Sequence, residues 1–186
     1  MIDTVNFTRM ADGTKEEYAF LEPLYAETRD KVPQLLLELL IRMKGDRLGY
    51  QVDRYTHSLQ AATRAEREGA DQETIVCALL HDVGDVLVPD NHSEVIAAIL
   101  RPFVNEQNHW VLKHHGLFQG YYYFHHNGND RHLRDRFRDH PHYQACVDFC
   151  HRWDQESFDP GYNTLPLEHF EAMVRRIMAE PRGVYT

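Results

Sequence analysis

Large apolar side chains recur at three- and four-residue spacing along this chain, and no stretch alternates apolar with polar residues strictly enough for a half-buried strand. Residues 15 to 43 carry Tyr18, Phe20, Leu21 and Leu24, then Leu36, Leu37, Leu39 and Leu40, with Pro33 placed to open a second helix. Residues 52 to 68 repeat the pattern with Tyr55, Leu59, Ala62 and Ala65, and Gly69 comes next as a helix stop. Asp71 is an N-cap for a helix running to about Val83. Further helical patterns cover 91 to 101, ending before Pro102, then 106 to 113, 141 to 153 and 167 to 178. The stretch 116 to 132, polar, aromatic and rich in histidine, reads as loop in part, and FDPGYNTLP separates the last two helices. The fold class is therefore all-α.

At 186 residues the chain can fill one sizeable core and not two comfortable ones, so it reads as a single domain, 1 to 186, with 1 to 45 as an N-terminal helical extension. A net charge of −9 repels polyanions, which argues against nucleic acid and anionic membrane surfaces as partners. No window approaches the length of unbroken apolar sequence that a membrane span needs. MIDTVNFTRMADGTKEEY lacks both an apolar signal core and the Arg-rich, acid-poor character of a transit peptide, so the expected compartment is the cytoplasm. Cys77, Cys146 and Cys150 are odd in number and form no CxxC pair, and they read as small core residues. Glycine-rich phosphate loops of the GxxxxGK[ST] or GxGxxG kind are absent.

Histidine is the unusual count, at 13. In ALLHDVGD the pair His81-Asp82 comes after four apolar residues, and buried ionisable groups are costly unless they are paired or bound to a metal. His57 stands mid-helix in RYTHSLQ, His92 in NHSEV, His114 and His115 in LKHHG, and Asp154 in RWDQ, each near an apolar stripe. His115 is favoured over His114 because Val111 and Leu112 precede it by four and three residues. Imidazoles and carboxylates without sulfur suit iron, manganese or zinc. His125, His126, His132, His140 and His142 lie among Asn, Gly, Asp and Arg and read as solvated loop residues.

In this order, HSLQAA, ETIVCALLHDVGD, NHSEVIAAIL, VLKHHG and RWD resemble the HD-domain superfamily of metal-dependent enzymes, over roughly residues 48 to 178. The resemblance implies a helical bundle with the metal held between helices by His57, His81, Asp82 and Asp154. With His92 and His115 added, the set is similar to that of the mixed-valent diiron oxygenase branch, which includes myo-inositol oxygenase and a hydroxyphosphonate-cleaving oxygenase. That implies two irons, Fe(II)/Fe(III), bridged by Asp82, and O2 used to cleave a C–P or C–C bond of a small hydroxylated substrate. The alternative within the superfamily is a phosphohydrolase acting on a nucleotide or phosphoester with manganese or zinc.

The chain departs from both templates around the implied ligands. Asp85 stands three after the HD pair, where relatives commonly carry Lys or His, and it repels a phosphate unless a cation pairs it. Tyr50 takes the place of an upstream Glu, Gln119 lies where the phosphonate-cleaving branch has a Lys in the segment after the fifth ligand, and His151 with Arg152 stands where it has an Arg. Tyr50, Asp85, Gln119, His151 and Arg152 are accordingly the candidate substrate-binding residues. Tyr121, Tyr122, Tyr123 and Phe124 could cage a quaternary ammonium with Asp85 as counter-charge, or could pack as core and loop. Ser157 and Asp159 could cap or line the site. The oligomeric state is not legible.

Overall fold

A computed structural model describes residues 3 to 45, 47 to 179 and 181 to 183. Among these residues the regular structure is helical, with no strand. Thr14 and Glu17 form a reciprocal capping box that starts α1 (Lys15–Arg29), and Pro33 lies in the first turn of α2 (Val32–Arg42). Asp53 accepts from the Thr56 amide to open α3 (Arg54–Arg67), and Asp71 accepts from the Thr74 amide to open α4 (Gln72–Leu80). Gly69 ends α3 with a φ of 79°, a backbone angle that glycine tolerates at little cost. The remaining helices are α5 (His92–Leu100), α6 (Glu106–Tyr123), α7 (Tyr143–Phe149) and α8 (Leu167–Ile177).

The periodicity misplaces two boundaries: α4 ends at Leu80 instead of about Val83, which falls in a 3₁₀ turn, and α6 runs past the expected Lys113. The stretch from Gly116 to Tyr123 is not loop but the second half of α6. Phe118 and Gly120 of this half are buried, so packing overrides the polar and aromatic composition that suggests loop.

Two helix pairs organise the bundle: α3 lies along α4, and α5 along α6. Leu79, Leu80, Ile96, Leu100, Leu112, Phe118 and Phe170 fill the space between elements. All three cysteines are free and buried, as small core residues. Among the described residues no helix is long and apolar enough to cross a membrane.

Three local features aim side chains at the bundle interior. After α4 the chain tightens through His81 and Asp82 into a 3₁₀ turn over Val83–Val86. After α7 it widens into one π-helical turn over Cys150–Asp154, closed by the Gln155 amide on the Cys150 carbonyl at 3.0 Å. One extra residue in a turn rotates the residues after it by about 100°, and here Trp153 and Asp154, although adjacent, are both buried. Gly84, in the 3₁₀ turn, meets the first residue of α5 so closely that a Cβ there would stand 2.3 Å from the His92 carbonyl oxygen.

This contact predicts that Gly84→Ala displaces the start of α5, since backbone cannot yield as a flexible side chain does. The expected cost is about 1–3 kcal/mol, read by denaturant unfolding, and a variant as stable as the parent contradicts the close packing.

Candidate metal centre

Four histidines converge with the same ring orientation. The Nδ1 of His81 faces the Ala78 carbonyl at 2.8 Å, that of His92 faces Pro89 at 2.9 Å, and that of His115 faces Leu112 at 2.7 Å, each three residues back along its own chain. His57 differs in its partner, because its Nδ1 faces the Ser157 carbonyl at 3.0 Å, across a hundred residues. A carbonyl only accepts, so each Nδ1 carries a proton, and in the neutral ring, the form that binds a metal, each Nε2 is left with its lone pair. The Nε2 atoms of His57 and His81 then lie 3.1 Å apart, and those of His92 and His115 lie 3.2 Å apart. Paired lone pairs at that range repel unless a positive charge sits between them.

Asp82 divides the cluster into two halves. Its Oδ2 lies 3.2 Å from His57 Nε2 and 3.1 Å from His81 Nε2, and Asp154 Oδ1 stands 3.3 Å from His57 and 3.7 Å from His81. Its Oδ1 lies 3.4 Å from His115 Nε2 and 3.5 Å from His92 Nε2. Ligands about 2.0–2.2 Å from one ion are separated by about 3.0 Å at right angles and about 3.4 Å at tetrahedral angles, so both halves have the spacing of a coordination shell. His57, His81, Asp154 and Asp82 Oδ2 could hold one ion, and His92, His115 and Asp82 Oδ1 a second. Nitrogen and carboxylate donors without sulfur fit Fe, Mn or Zn.

The electrostatics point the same way. Burial alone would push His81 down, but the Asp82 charge and hydrogen bonds to Asp154 and Asp82 outweigh it and raise it to about 10. His57 is also raised, against its burial, by Asp154 and Asp82. Burial would raise Asp82, yet the charges of Arg54 and His81 hold it well below the ordinary carboxylate range, and His57 and His81 do the same for Asp154. In His115 burial dominates and its pKa is lowered, which leaves the ring neutral. A field that draws a proton onto His57 and His81 also draws a cation.

A cavity of about 620 Å³ opens onto the cluster. Asp82, His92, His115 and Asp154 line it, together with the rings of Tyr50, Tyr123, Phe124 and Phe158. The Phe158 ring packs on His57 with centroids 4.5 Å apart and stacks on Tyr50 at 4.9 Å. Asp90, Asn91 and Ser93 also contribute to the lining.

The candidate residues from the sequence divide accordingly. His57, His81, Asp82, His92, His115 and Asp154 come together, whereas His114 turns away to stack on Trp110 at 4.1 Å. Gln119 lies in the cavity and donates to Asp154 Oδ1 at 3.1 Å, and Tyr50 lines it. Asp85 does not line it but pairs with Arg54 Nη2 at 2.7 Å, which is the cation that its position demands. His151 and Arg152 are not part of the lining: His151 meets the Tyr122 hydroxyl at 3.2 Å, and Arg152 pairs with Glu68 at 2.5 Å. The run of Tyr121, Tyr122, Tyr123 and Phe124 does not form one cage, because Arg131 and Arg134 cover the Tyr121 ring at 4.0 and 3.7 Å and only Tyr123 and Phe124 reach the cavity. Ser157 and Asp159 contribute backbone carbonyls, to His57 Nδ1 and to the Gln60 amide. Of the second histidine group, His125, His126 and His132 are exposed, while His140 is half-buried against Trp110 at 4.3 Å.

Arg54, Phe158 and the cavity-lining Asp90 are among the residues that sequence reasoning missed. Arg54 precedes His57 by three positions on one helix, which puts both on the same face, and this spacing was the available signal. Phe158 sits in a turn whose path no local pattern specifies.

Residues 54–148 match the family model described as HD domain, and no curated protein matches the chain.

Substitutions should separate the halves of the cluster. His92→Ala or His115→Ala is expected to remove about one bound ion per chain and leave the other, while Asp82→Ala removes both, counted by elemental analysis after gel filtration. Protons compete for the same Nε2 atoms, so apparent metal affinity should fall as pH falls from 8 to 5, by roughly tenfold per unit for each proton displaced. An affinity that is flat in this range places the ion elsewhere.

Proposed function

Because the chain belongs to the HD-domain family, whose members are typically metal-dependent enzymes, we propose that it is a non-haem diiron oxygenase using O2 to cleave a C–P or C–C bond of a small hydroxylated substrate. The observation that carries this reading is the sharing of Asp82 between two nitrogen-bearing sets, one on each carboxylate oxygen. Iron, when bound there, supplies Lewis acidity and one-electron redox chemistry.

The remaining work falls to the chain's own residues. Gln119 holds Asp154 Oδ1 in place, and the Ser157 carbonyl sets the tautomer and ring plane of His57. Phe158, packed on His57, keeps water from that side of the centre. Tyr50, Tyr123, Phe124 and Phe158 receive the end of the substrate remote from the reacting hydroxyl, and ring faces with Asp90 nearby suit a quaternary ammonium. Asp85 does not serve as that counter-charge, because Arg54 occupies it. A hydroxyalkylphosphonate is the other substrate class to try, with the metal ions meeting its charge.

Phosphoester hydrolysis is the second reading, favoured by Arg54, a cationic residue that lines the cavity. That cation already faces Asp82 at 2.5 Å and Asp85 at 2.7 Å, so little of its charge is left for a phosphate.

Protein produced with iron should carry about two irons per chain and show substrate-dependent O2 uptake when hydroxyalkylphosphonates and hydroxylated quaternary ammonium compounds are supplied. Phosphate release from nucleotides with manganese or zinc, and no O2 consumption, sinks the oxygenase reading. Tyr50→Ala is expected to raise KM for a cationic substrate about fivefold, the loss of roughly 1 kcal/mol of ring contact, with a smaller change in kcat.

A further inference from the structure

The two halves of the cluster are unequally supported. His57, His81 and His115 are buried to within 2% of full enclosure, whereas the His92 side chain is 21% exposed. His92 is also the first residue of α5, where the chain has only just become helical after the turn at Pro89–Asn91. Its ring is therefore the least constrained of the four by packing alone.

A chain of charge contacts compensates. His92 Nδ1, directed at the Pro89 carbonyl, also lies 3.0 Å from Asp85 Oδ1. The other oxygen, Asp85 Oδ2, accepts from Arg54 Nε at 3.1 Å and Nη2 at 2.7 Å. Arg54 Nη2 in turn stands 2.5 Å from Asp82 Oδ2. Arg54 and Asp85 are each largely buried, with side chains 18% exposed, so these contacts are only partly screened by water. Together they tie the most exposed histidine of the cluster to the shared carboxylate through two residues that coordinate nothing.

We propose that Asp85 and Arg54 are positioning residues that set the affinity of the second metal site, the one formed by His92, His115 and Asp82 Oδ1. The inference rests on the two-ion reading above. A carboxylate beside the far nitrogen of a ligating histidine fixes its tautomer and orientation and makes the near nitrogen a better donor. Arg54 keeps that carboxylate aimed at His92 and keeps Asp82 turned so that Oδ1 faces the second site. The first site receives no contact from Asp85, and His57 and His81 take their orientation from the Ser157 and Ala78 carbonyls, although Arg54 also touches the Asp82 Oδ2 assigned to it. Main-chain carbonyls face the Nδ1 of every ligating histidine, and the second site differs in adding a side-chain relay on His92.

The experiment is a titration of the metal-stripped full chain with Mn2+ as the probe, monitored by calorimetry and by the EPR signature of coupled ions. Asp85→Asn keeps the shape and removes the charge, and Arg54→Gln cuts the relay one step earlier. The parent should take up two ions. Both variants should weaken the second by about 10–100-fold and lose the coupled signal at intermediate loading; Asp85→Asn should leave the first within twofold with unchanged thermal unfolding of the stripped protein, and Arg54→Gln should weaken the first less than the second. Asp85→Glu should restore part of the loss. A second site unaffected in both variants, or two sites weakened by the same factor, overturns the positioning role while leaving the two-ion centre standing. A parent that binds fewer than two ions overturns the two-ion reading, and this inference with it.

Discussion

The four Nε2 lone pairs that meet around Asp82 are the constraint on which the rest of the structure depends. Each imidazole gives its proton side to a backbone carbonyl, so each presents an unshared pair inward, and the carboxylates add negative charge in the same small volume. Such a concentration of donors is unfavourable in a bundle interior without a partner. Close-packed apolar helices surround it, with Leu79, Leu80, Leu112 and Phe149 buried beside the ligand-bearing segments. Packing supplies rigidity, and the polar cluster uses that rigidity to hold like charges together.

Much of this was legible in the amino-acid order. Helical spacing around Leu59, Leu79, Ile96 and Leu112 marks helices that the structure contains, and the cap at Asp71 opens one of them. The choice of His115 over its neighbour comes from geometry that a helix imposes: a residue three and four positions after apolar side chains shares their buried face. His114, one step away, is turned by about 100° and stacks on Trp110 instead.

The features that could not be read depend on long-range contacts. Arg152 is a candidate for the cavity because it stands, with His151, near the place where the resembling branch has an Arg, but the π turn that brings in Trp153 and Asp154 leaves Arg152 outside with Glu68. Composition likewise suggested loop where α6 continues, since local propensity weighs less than the burial of Phe118. Asp85 was anomalous as a lone letter and makes sense only beside Arg54, thirty-one positions away in sequence.

The bond from His57 to the Ser157 carbonyl has a consequence for how the molecule is assembled. Chains emerge from the ribosome N-terminus first, and His57, His81, His92 and His115 are all made before the stretch that carries Asp154 and Ser157. Three of those histidines find their carbonyl partners three residues back and can adopt their orientation as soon as their own turn forms. His57 must wait for a loop of a hundred residues to close. The centre is thus half prepared during synthesis and completed only once Asp154 and Ser157 have been made, so a chain that stops before them lacks both a ligand and the orienting partner of His57.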